Sequence, residues 1–348
     1  MSDSFFALGP DGALRAVEAA GLAPTGHVTP LTCLENRVYD VRLEEGGGTD
    51  HVVVKFYRPG RWSRQAVLEE HRFLADLREA EVPVCAPLGG ATTLGEQEGL
   101  LYAIWPRTGG RSPDELPEAA LPILGRLLAR IHAVGAAGAA PHRPRLDAAT
   151  RVHEPLAALV AGGFLPPACA RRYAAAAEEV ARLYEERSHG VPVHRIHGDC
   201  HRGNLLERDG TWFFLDFDDF GTGPAVQDVW MLLPGRDAEA LAQRARLLDA
   251  YRELRDFDDA WLDLVEPLRA LRFVWYAGWI ARRWSDPVFP DAFPHFGTEE
   301  YWERETRDLE EQAARIGSGA GAGPATAGAA AAEGGEGALT NEDYFWDL

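Results

Sequence analysis

Lysine is almost missing from this 348-residue sequence: Lys55 is the only lysine among 35 lysine and arginine side chains. A genome that encodes arginine in place of lysine at nearly every basic position explains why lysine is rare, but it does not explain why Lys55 is a lysine. Lysine presents a compact point charge that can lie against phosphate oxygens, whereas arginine presents a wide planar fork. Lys55 is therefore a candidate anion-binding residue, against the simpler interpretation that one lysine survived by chance.

The sequence also lacks the segments that direct a chain to a membrane. The first 21 residues hold no basic stretch followed by a long apolar run, so no signal peptide is expected. The sequence contains no uninterrupted run of about 18 apolar residues, so no membrane span is expected. The four scattered cysteines are typical of free thiols in a reducing compartment. We therefore expect a cytoplasmic protein.

Acidic side chains outnumber basic ones, 54 to 35, and give a formal net charge of −19. Such a surface repels nucleic acid and anionic membranes unless a local basic patch overrides it. Solubility is the simplest reason for the acidity, although a cationic small molecule or a basic protein segment would also be tolerated. We expect a monomer that binds neither nucleic acid nor membrane.

The chain changes character after its first third. Alternating apolar residues predict strands at 28–43 and 51–57, a further strand pair around 85–105, and one helix at 63–80. The remainder predicts long amphipathic helices at 116–135, 151–162, 167–188, 237–254 and 258–284, with strand patterns at 193–197 and 204–216. A strand-rich part followed by a helix-rich part indicates an α+β protein with two lobes.

The expected domain boundaries follow from these patterns. They are an N-lobe at 1–105, a hinge at 106–111, a helical C-lobe at 112–316, a flexible Gly/Ala linker at 317–340 and an acidic, aromatic terminal peptide at 341–348.

Residues 204–216 predict a hairpin that turns at Asp209-Gly210, a strong two-residue turn signal between apolar runs. Pairing counted outward from the turn places Asn204 opposite Leu215, so Asp216 comes to lie beside Asn204 at the open end. Facing residues in a sheet lie about 5 Å apart at Cβ. A carboxylate and an amide oxygen at that separation can share one hard cation such as Mg²⁺.

The loop before this hairpin reads His197-Gly198-Asp199-Cys200-His201-Arg202-Gly203-Asn204. Asp199 lies five residues before Asn204 and can reach a substrate hydroxyl. Phosphoryl transfer needs a group that orients the hydroxyl and accepts its proton, together with metal ions that neutralise phosphate charge. Asp199 and Asn204 could instead only cap a loop, but Asp216 at the hairpin mouth and Lys55 upstream argue against that.

The string His-Gly-Asp-x-x-x-x-Asn followed by Asp216 resembles the signature of aminoglycoside-phosphotransferase-like and choline-kinase-like enzymes, which are relatives of the protein kinases. The sequence is more similar still to the stress response kinase A family. That resemblance covers roughly residues 5–315 and rests on the longer strings at 34–39, 53–59, 223–231, 266–270 and 282–284. It implies a two-lobed protein-kinase-like fold with a β-rich N-lobe and a helical C-lobe.

The resemblance also implies roles for individual residues and the use of ATP and Mg²⁺. By this resemblance Asp199 is the catalytic base, and Asn204 and Asp216 bind magnesium, Asp216 being counted as catalytic as well. Lys55 binds the phosphates of ATP, and Glu70 pairs with Lys55. Cys33 lies in the nucleotide loop. Glu69 is the alternative to Glu70, whose spacing to the apolar residues of the helix is better.

The sequence departs from ordinary protein kinases in three places. Residues 24–40 contain only Gly26, so the Gly-rich phosphate loop is missing. Asp216-Phe217-Asp218 stands where protein kinases have Asp-Phe-Gly. Only eleven residues separate Asp216 from Asp228, which is too few for a long activation loop.

Several nearby residues allow competing interpretations. His197, Cys200 and His201 suggest zinc, but they lack the usual paired spacing. Asp218 and Asp219 could hold a second metal, but we expect them to face solvent, and we expect Asp228 to brace the catalytic loop. The aromatic residues of the long helix could form a cage for a quaternary ammonium substrate, although aromatics at this spacing are more often core; they are Trp275, Tyr276 and Trp279.

The resemblance leaves three functions to compare. The first is an ATP- and magnesium-dependent serine/threonine protein kinase of the bacterial stress response. The second is a kinase for a small hydroxyl compound such as an aminoglycoside, choline, homoserine or a sugar-like alcohol. The third, a nucleotide-binding scaffold without turnover, fits poorly with a complete set of base, metal ligands and lysine.

Overall fold

The computed structural model describes residues 2–45, 50–90 and 92–319 and divides the chain into two compact units. The first unit holds Met1–Ser112, Ala140–Arg143 and Leu205–Asp218, and the second holds Pro113–Ala139, Pro144–Asn204 and Asp219–Leu348. All but the first three residues of the expected linker, and the whole terminal peptide at 341–348, lie outside the described residues.

A five-stranded antiparallel sheet forms the centre of the first unit. Its strands are β1 (Pro24–Leu31), β2 (Arg37–Leu43), β3 (His51–Phe56), β4 (Gly95–Gln97) and β5 (Leu100–Pro106), and they lie in the order β1-β2-β3-β5-β4. The single strand expected at 28–43 is wrong, because the chain turns between β1 and β2 and the two pair with each other. Polar residues at this turn bind other parts of the unit instead of continuing the ladder.

Three helices accompany the sheet: α1 (Ser2–Phe6), α2 (Pro10–Ala19) and α3 (Arg64–Glu79). Helix α2 packs on β1, and its Val17 joins a core with Val41 and Val54 of the sheet. Each fully buried side chain of this size contributes roughly 1.5–3 kcal/mol. Ser63 immediately precedes helix α3 and caps it, because its hydroxyl accepts the backbone N–H of Ala66.

The hairpin of β7 (Leu205–Arg208) and β8 (Thr211–Phe214) has the register expected from its turn, with Leu206 opposite Phe213. Asp209 and Gly210 both have positive φ angles, 51° and 79°, as a two-residue hairpin turn requires. The hairpin belongs to the first unit although the sequence placed it in the C-lobe, because Phe214 bridges to Val84. A pairing between distant residues of this kind leaves no local trace in the sequence.

Up to residue 319, where the described part of the chain ends, the second unit is helical apart from a two-stranded antiparallel ladder of β6 (Val193–Ile196) and β9 (Gly221–Pro224). Its helices are α4 (Leu121–Ala136), α5 (Glu154–Ala161), α6 (Pro167–Ser188), α7 (Val226–Leu232), α8 (Ala238–Arg252), α9 (Val265–Ala281), α10 (Val288–Ala292) and α11 (Glu299–Gly317). Helix α9 packs against α5, α6 and α11. The expected helix at 258–284 is shorter at both ends, and α7, α10 and α11 were not expected.

Helix α4 with its preceding turn, Glu118–Ala136, is long and apolar enough to cross a membrane, and 56% of that window is buried. No other helix of the described residues meets this test. Its buried face packs against α8 and β6, as the face of an ordinary core helix does.

Helix α4 approaches β6 closely at Gly135. A Cβ there would lie 2.1 Å from the backbone oxygen of Arg195, closer than real Cβ atoms come. The Arg195 side chain in turn donates to the carbonyl oxygens of Val134 and Gly135 at the end of α4. This contact sets the position of β6, which leads into the loop of Asp199.

We expect Gly135→Val to destabilise the protein by about 1–3 kcal/mol, since an added side chain must push the strand away from the helix. Urea unfolding of the variant and the parent measures this. Gly317→Ala is the control, because a Cβ at Gly317 meets nothing within 4 Å. Equal unfolding midpoints for the Gly135 variant and the parent would contradict the packing argument.

Candidate active site

Lys55 lies on β3 and is paired across the sheet with Val38 and Ala103. Its Nζ lies 3.2 Å from Oδ1 of Asp216 and 3.0 Å from Oδ1 of Asp218, and its side chain is 11% exposed. Burial opposes the charged ammonium, but the two carboxylates outweigh it and hold the pKa of Lys55 well above its usual value. The single lysine of the chain is therefore a buried, fully charged ammonium beside Asp216.

Asp216 follows β8 with a backbone φ of +50°, in the left-handed region that side chains other than glycine rarely adopt. Such a conformation costs on the order of 1–3 kcal/mol and concentrates at functional sites. The Asp216 side chain is 51% exposed, unlike the lysine that it contacts. One carboxylate oxygen faces Lys55, and the exposure of the group leaves it available to a cation.

Asp218 is buried, so the expectation that it faces solvent is wrong. Its carboxylate accepts from Arg61 at 2.5 Å and from Asn36 at 3.1 Å, in addition to its ion pair with Lys55. Burial alone would raise the pKa of Asp218, but Arg61 and Lys55 outweigh that effect and lower it. The cationic partners, which come from distant parts of the sequence, are what make this burial favourable.

The turn between β1 and β2 is held by side chains instead of glycines. Asn36 donates from Nδ2 to Asp218, and its Oδ1 accepts the backbone N–H of Arg58 at 3.1 Å. Arg58 donates to the backbone oxygens of Leu34 and Glu35, both at 2.9 Å. These bonds fix the loop that replaces the missing Gly-rich sequence.

Cys33 begins this loop and is half-buried. Its Sγ accepts the backbone N–H of Asn36 at 3.4 Å. Burial and the nearby Asp216 raise the pKa of the Cys33 thiol, while Lys55 opposes them. Its place in the nucleotide loop stays a prediction, and a neutral thiol there would contact a ligand only as a weak polar group.

Glu70 of α3 is buried, but among the described residues the carboxylate partners of Lys55 are Asp216 and Asp218. Burial raises the pKa of Glu70 to about 7, and the charge of Lys55 opposes that rise. Its Oε2 has no hydrogen-bond partner. Glu69 is occupied elsewhere, since His142 donates to it from the backbone at 3.0 Å. Glu70 therefore remains the candidate partner of Lys55, without a direct ion pair in this structure.

Asp199 lies in the second unit, in the loop after β6. Its Oδ1 accepts from Nη1 of Arg272 at 2.9 Å, and its Oδ2 lies 3.5 Å from Nε2 of His201. Burial alone would raise the pKa of Asp199, but Arg272 and His201 outweigh it and hold the pKa well below its usual range. Asp199 is thus an ionised carboxylate with a fixed orientation.

Asp228 of α7 braces the Asp199 loop, as the sequence predicted. Its two carboxylate oxygens accept the backbone N–H groups of His197 at 2.8 Å and Gly198 at 2.9 Å, and His132 lies at 3.0 Å. Gly198 has a φ of +86°, and a Cβ there would lie 2.4 Å from the backbone oxygen of Asp219. Only glycine fits at this position of the loop.

Asn204 ends the same loop and donates from Nδ2 to the backbone oxygen of Asp199 at 2.9 Å. That bond turns its amide so that Oδ1 is left for another partner. Asn204 immediately precedes β7 and Asp216 follows β8, and the register pairs Leu205 with Phe214. Both groups offer the hard oxygen ligands that Mg²⁺ prefers. A cation shared by Asn204 and Asp216 stays a prediction from this register.

No group of three or more His, Cys, Asp or Glu side chains among the described residues could hold a metal. The zinc interpretation of His197, Cys200 and His201 therefore finds no support. A magnesium site with only one or two protein ligands, completed by water and phosphate oxygens, is compatible with the finding.

The long-helix aromatics divide into two groups. Tyr276 and Trp279 are buried and stacked, with ring centroids 5.5 Å apart, as expected of core residues. Trp275 is only half-buried, and the guanidinium groups of Arg151 and Arg272 lie over its ring. Arginines fill the cation position of Trp275, so this indole offers no cage for an ammonium ligand.

Four residues that matter here were missed by sequence reasoning: Asn36, Arg61, Asp218 and Arg272. Asn36 lies within a string that resembles the kinase family, which was a usable signal. Arg272 lies on a helix 73 residues beyond Asp199, and no local pattern connects the two.

Comparison with known proteins agrees with this geometry. The model of the phosphotransferase enzyme family matches residues 28–264. Stress response kinase A of Escherichia coli (strain K12) is 39% identical over 312 residues, which cover 89% of this chain and 94% of that protein. The serine/threonine protein kinase RdoA of Salmonella typhimurium (strain LT2) is 40% identical over 313 residues, with the same two coverages, 89% and 94%.

Among solved structures, amicoumacin kinase hAmiN in complex with AMP-PNP, Ca²⁺ and Ami matches with a TM-score of 0.68 at 20% identity. The match covers 90% of this chain and 95% of that one. The expected α+β fold of the protein-kinase-like class is confirmed.

We expect Arg61→Ala to loosen the loop at 33–36 and to raise the KM for ATP. Removing one partner of a buried ion pair costs about 3 kcal/mol, so the unfolding midpoint should fall as well. The control is Arg64→Ala, which breaks an exposed pair with Glu96 whose side chains are 44% and 53% exposed and which contributes at most about 1 kcal/mol. Equal effects of the two substitutions on the unfolding midpoint and on the KM for ATP would show that the Arg61 ion pair does not hold the loop.

Glu70 should make the stability of the protein fall as pH rises. Its pKa is about 7 when folded, against 4.5 as the ordinary value. Between these values the folded state binds more protons at Glu70, so the contribution of Glu70 to the free energy of unfolding decreases by up to about 3 kcal/mol as pH rises from 4.5 through 7. Glu70→Gln should flatten this decrease in urea titrations at a series of pH values, while Glu79→Gln, exposed on the same helix, should preserve it. His71 and His194, whose pKa values burial lowers to about 3, oppose this decrease in the parent, so the contribution of Glu70 is read from the difference between the parent and Glu70→Gln. An identical dependence of stability on pH in these two proteins would show the assignment to be wrong.

Proposed function

Because the chain belongs to the stress response kinase A family of phosphotransferases, we propose that it transfers the γ-phosphoryl group of ATP, with Mg²⁺, to serine or threonine hydroxyls of a protein. Membership of the family makes it a kinase that uses ATP, a divalent metal and a hydroxyl-bearing substrate. The nature of the metal and of the substrate are the parts that we propose.

The observation that carries the proposal is the state of Asp199. An ionised carboxylate, fixed by Arg272 and carried on a loop braced by Asp228, is what orients a substrate hydroxyl and accepts its proton. A residue that merely capped the loop would not need a separate arginine to hold its carboxylate group.

Lys55 and Asp216 supply the phosphate side of the reaction. The buried ammonium of Lys55 is suited to the phosphates of ATP, and Asp216 with Asn204 would hold the metal ion through oxygen atoms. Bound there, Mg²⁺ would neutralise the charge of the triphosphate. The residues present fit that group because an exposed carboxylate and an unengaged amide oxygen are both available.

A protein substrate is favoured over a small molecule by the relatives. The relative that is 40% identical is named a serine/threonine protein kinase. The amicoumacin kinase is only 20% identical, so its similarity supports the fold and not the substrate. The expected monomeric state, the cytoplasmic location and the lack of nucleic-acid binding stay predictions from composition and charge.

The test replaces Asp199 by asparagine, which preserves the shape and removes the base. We expect phosphorylation of a generic protein such as dephosphorylated casein to fall by about 10²–10⁴-fold, while ATP binding measured by calorimetry persists. Asp209→Asn is the matched control, since Asp209 is an exposed turn residue that asparagine can replace. Near-normal turnover by the Asp199 variant would refute the role of Asp199. Phosphorylation of alcohols alone, such as choline or an aminoglycoside, would favour a small-molecule kinase.

The second test concerns Asp216. Asp216→Asn removes a charged ligand but retains a residue that tolerates positive φ, so the concentration of Mg²⁺ needed for half-maximal activity should rise. A magnesium titration at fixed ATP measures this. An unchanged magnesium curve would mean that Asp216 does not hold the metal.

A further inference from the structure

Two arginines of the second unit share the surface beside Asp199. Arg272 pairs with the Asp199 carboxylate at 2.9 Å. Its guanidinium carbon also lies 5.7 Å from the ring centre of Trp275, and that of Arg151 lies 4.9 Å from the same centre. One indole ring thus positions both guanidinium groups next to the residue that faces the substrate hydroxyl.

Arg151 differs from Arg272 in having no anionic partner of its own. Within the described residues its guanidinium makes no ion pair closer than 4 Å and no hydrogen bond, and its Nε is buried without a partner. Asp219 and Asp199 act on it only through space, and burial lowers the pKa of its guanidinium. A buried polar group without a partner costs about 1–3 kcal/mol. The Nη atoms of Arg151 are not among the buried atoms, so a ligand carboxylate can reach them and supply the missing anionic partner of the guanidinium.

The backbone around Arg151 is also unusual. Arg151 lies in a π-helical turn, Ala149–His153, that precedes α5 and packs against α9, the helix of Arg272 and Trp275. Single π-helical turns are rare and often occur at functional sites. Thr150 holds this turn in place: its hydroxyl donates to the backbone oxygen of Arg145, and its N–H donates to Oδ1 of Asp147 at 3.0 Å.

We propose that Arg151, stacked on Trp275 beside Asp199, binds an acidic side chain of the protein substrate next to the serine or threonine that is phosphorylated. This specificity rests on the proposed protein-kinase function. The whole-chain charge of −19 favours basic partners, so an acidic preference can come only from a local cationic surface. The same two arginines repel a cationic acceptor such as an aminoglycoside or choline.

The experiment compares two peptides that differ only near a single serine, where one carries glutamate and the other arginine. The position of this residue is scanned over the three residues on each side. With MgATP and the full chain, we expect the best glutamate peptide to have a kcat/KM roughly tenfold higher than its arginine counterpart, as one charged hydrogen bond allows.

Substitutions assign this preference to Arg151. Arg151→Ala should bring the ratio of the two peptides close to one, mainly through a higher KM for the glutamate peptide, and Arg151→Glu should reverse the ratio. Arg151→Lys retains the charge without the planar stack and should preserve part of the preference. The control is Arg171→Ala, which removes one exposed positive charge from α6 and should leave the ratio unchanged.

Three results would overturn the inference. They are equal use of both peptides by the parent, a preference of the parent for the arginine peptide, and a preference that survives Arg151→Ala. The first two results are measured on the parent protein alone, so the proposal can be overturned even if the Arg151 variants do not fold. A parent that phosphorylates neither peptide nor casein, but does phosphorylate an alcohol, would remove the proposed protein-kinase function itself.

Discussion

The carboxylate of Asp218 joins the central strand of the first unit, the loop between β1 and β2 and the segment ahead of α3. It pairs with Lys55 of the central strand and with Arg61 ahead of α3, and it accepts from Asn36 of the loop between β1 and β2. Its backbone oxygen accepts from Arg143. Loss of this carboxylate would remove one anionic partner from each of two buried cations, leaving Lys55 beside Asp216 and Arg61 beside Glu35, and this is more costly than loss of an exposed pair. The loop, the strand and the helix therefore depend on one another through a single charged side chain.

The second unit uses a different device for the same purpose. Asp228 is fully buried, and each of its two carboxylate oxygens accepts a hydrogen bond from a backbone N–H group of the loop that carries Asp199. Hydrogen bonds from backbone N–H groups to a carboxylate are strong and leave the loop little freedom. Arg272 then sets the direction of the Asp199 carboxylate from another helix. Asp199 is thus held in two ways, through the backbone of its loop and through its side chain.

The features that sequence reasoning predicted are those that depend on neighbouring residues. The Asp209-Gly210 turn determined the hairpin register, and the rarity of lysine singled out Lys55. The features it missed depend on partners far along the chain. Asp218 was expected at the surface because its partners are distant, and the turn after β1 was read as strand because Asn36 meets Arg58 only in the fold. Helix α11 is a different case, because Trp302, Leu309 and Ile316 recur every seven residues on its buried face; this local pattern was present in the sequence and was overlooked.

The isolation of Lys55 has a chemical consequence. Reagents that acylate primary amines find a single side-chain amine in this sequence, and that amine is the one in contact with Asp216. Any side-chain acylation of the chain would therefore report on this one position, without the background that other lysines create in most proteins. An endoprotease specific for lysine would likewise have one cleavage site, inside a central strand of the sheet, so cutting there would follow the opening of the first unit. Lys55, which we propose to bind the phosphates of ATP, therefore also makes the protein well suited to covalent footprinting.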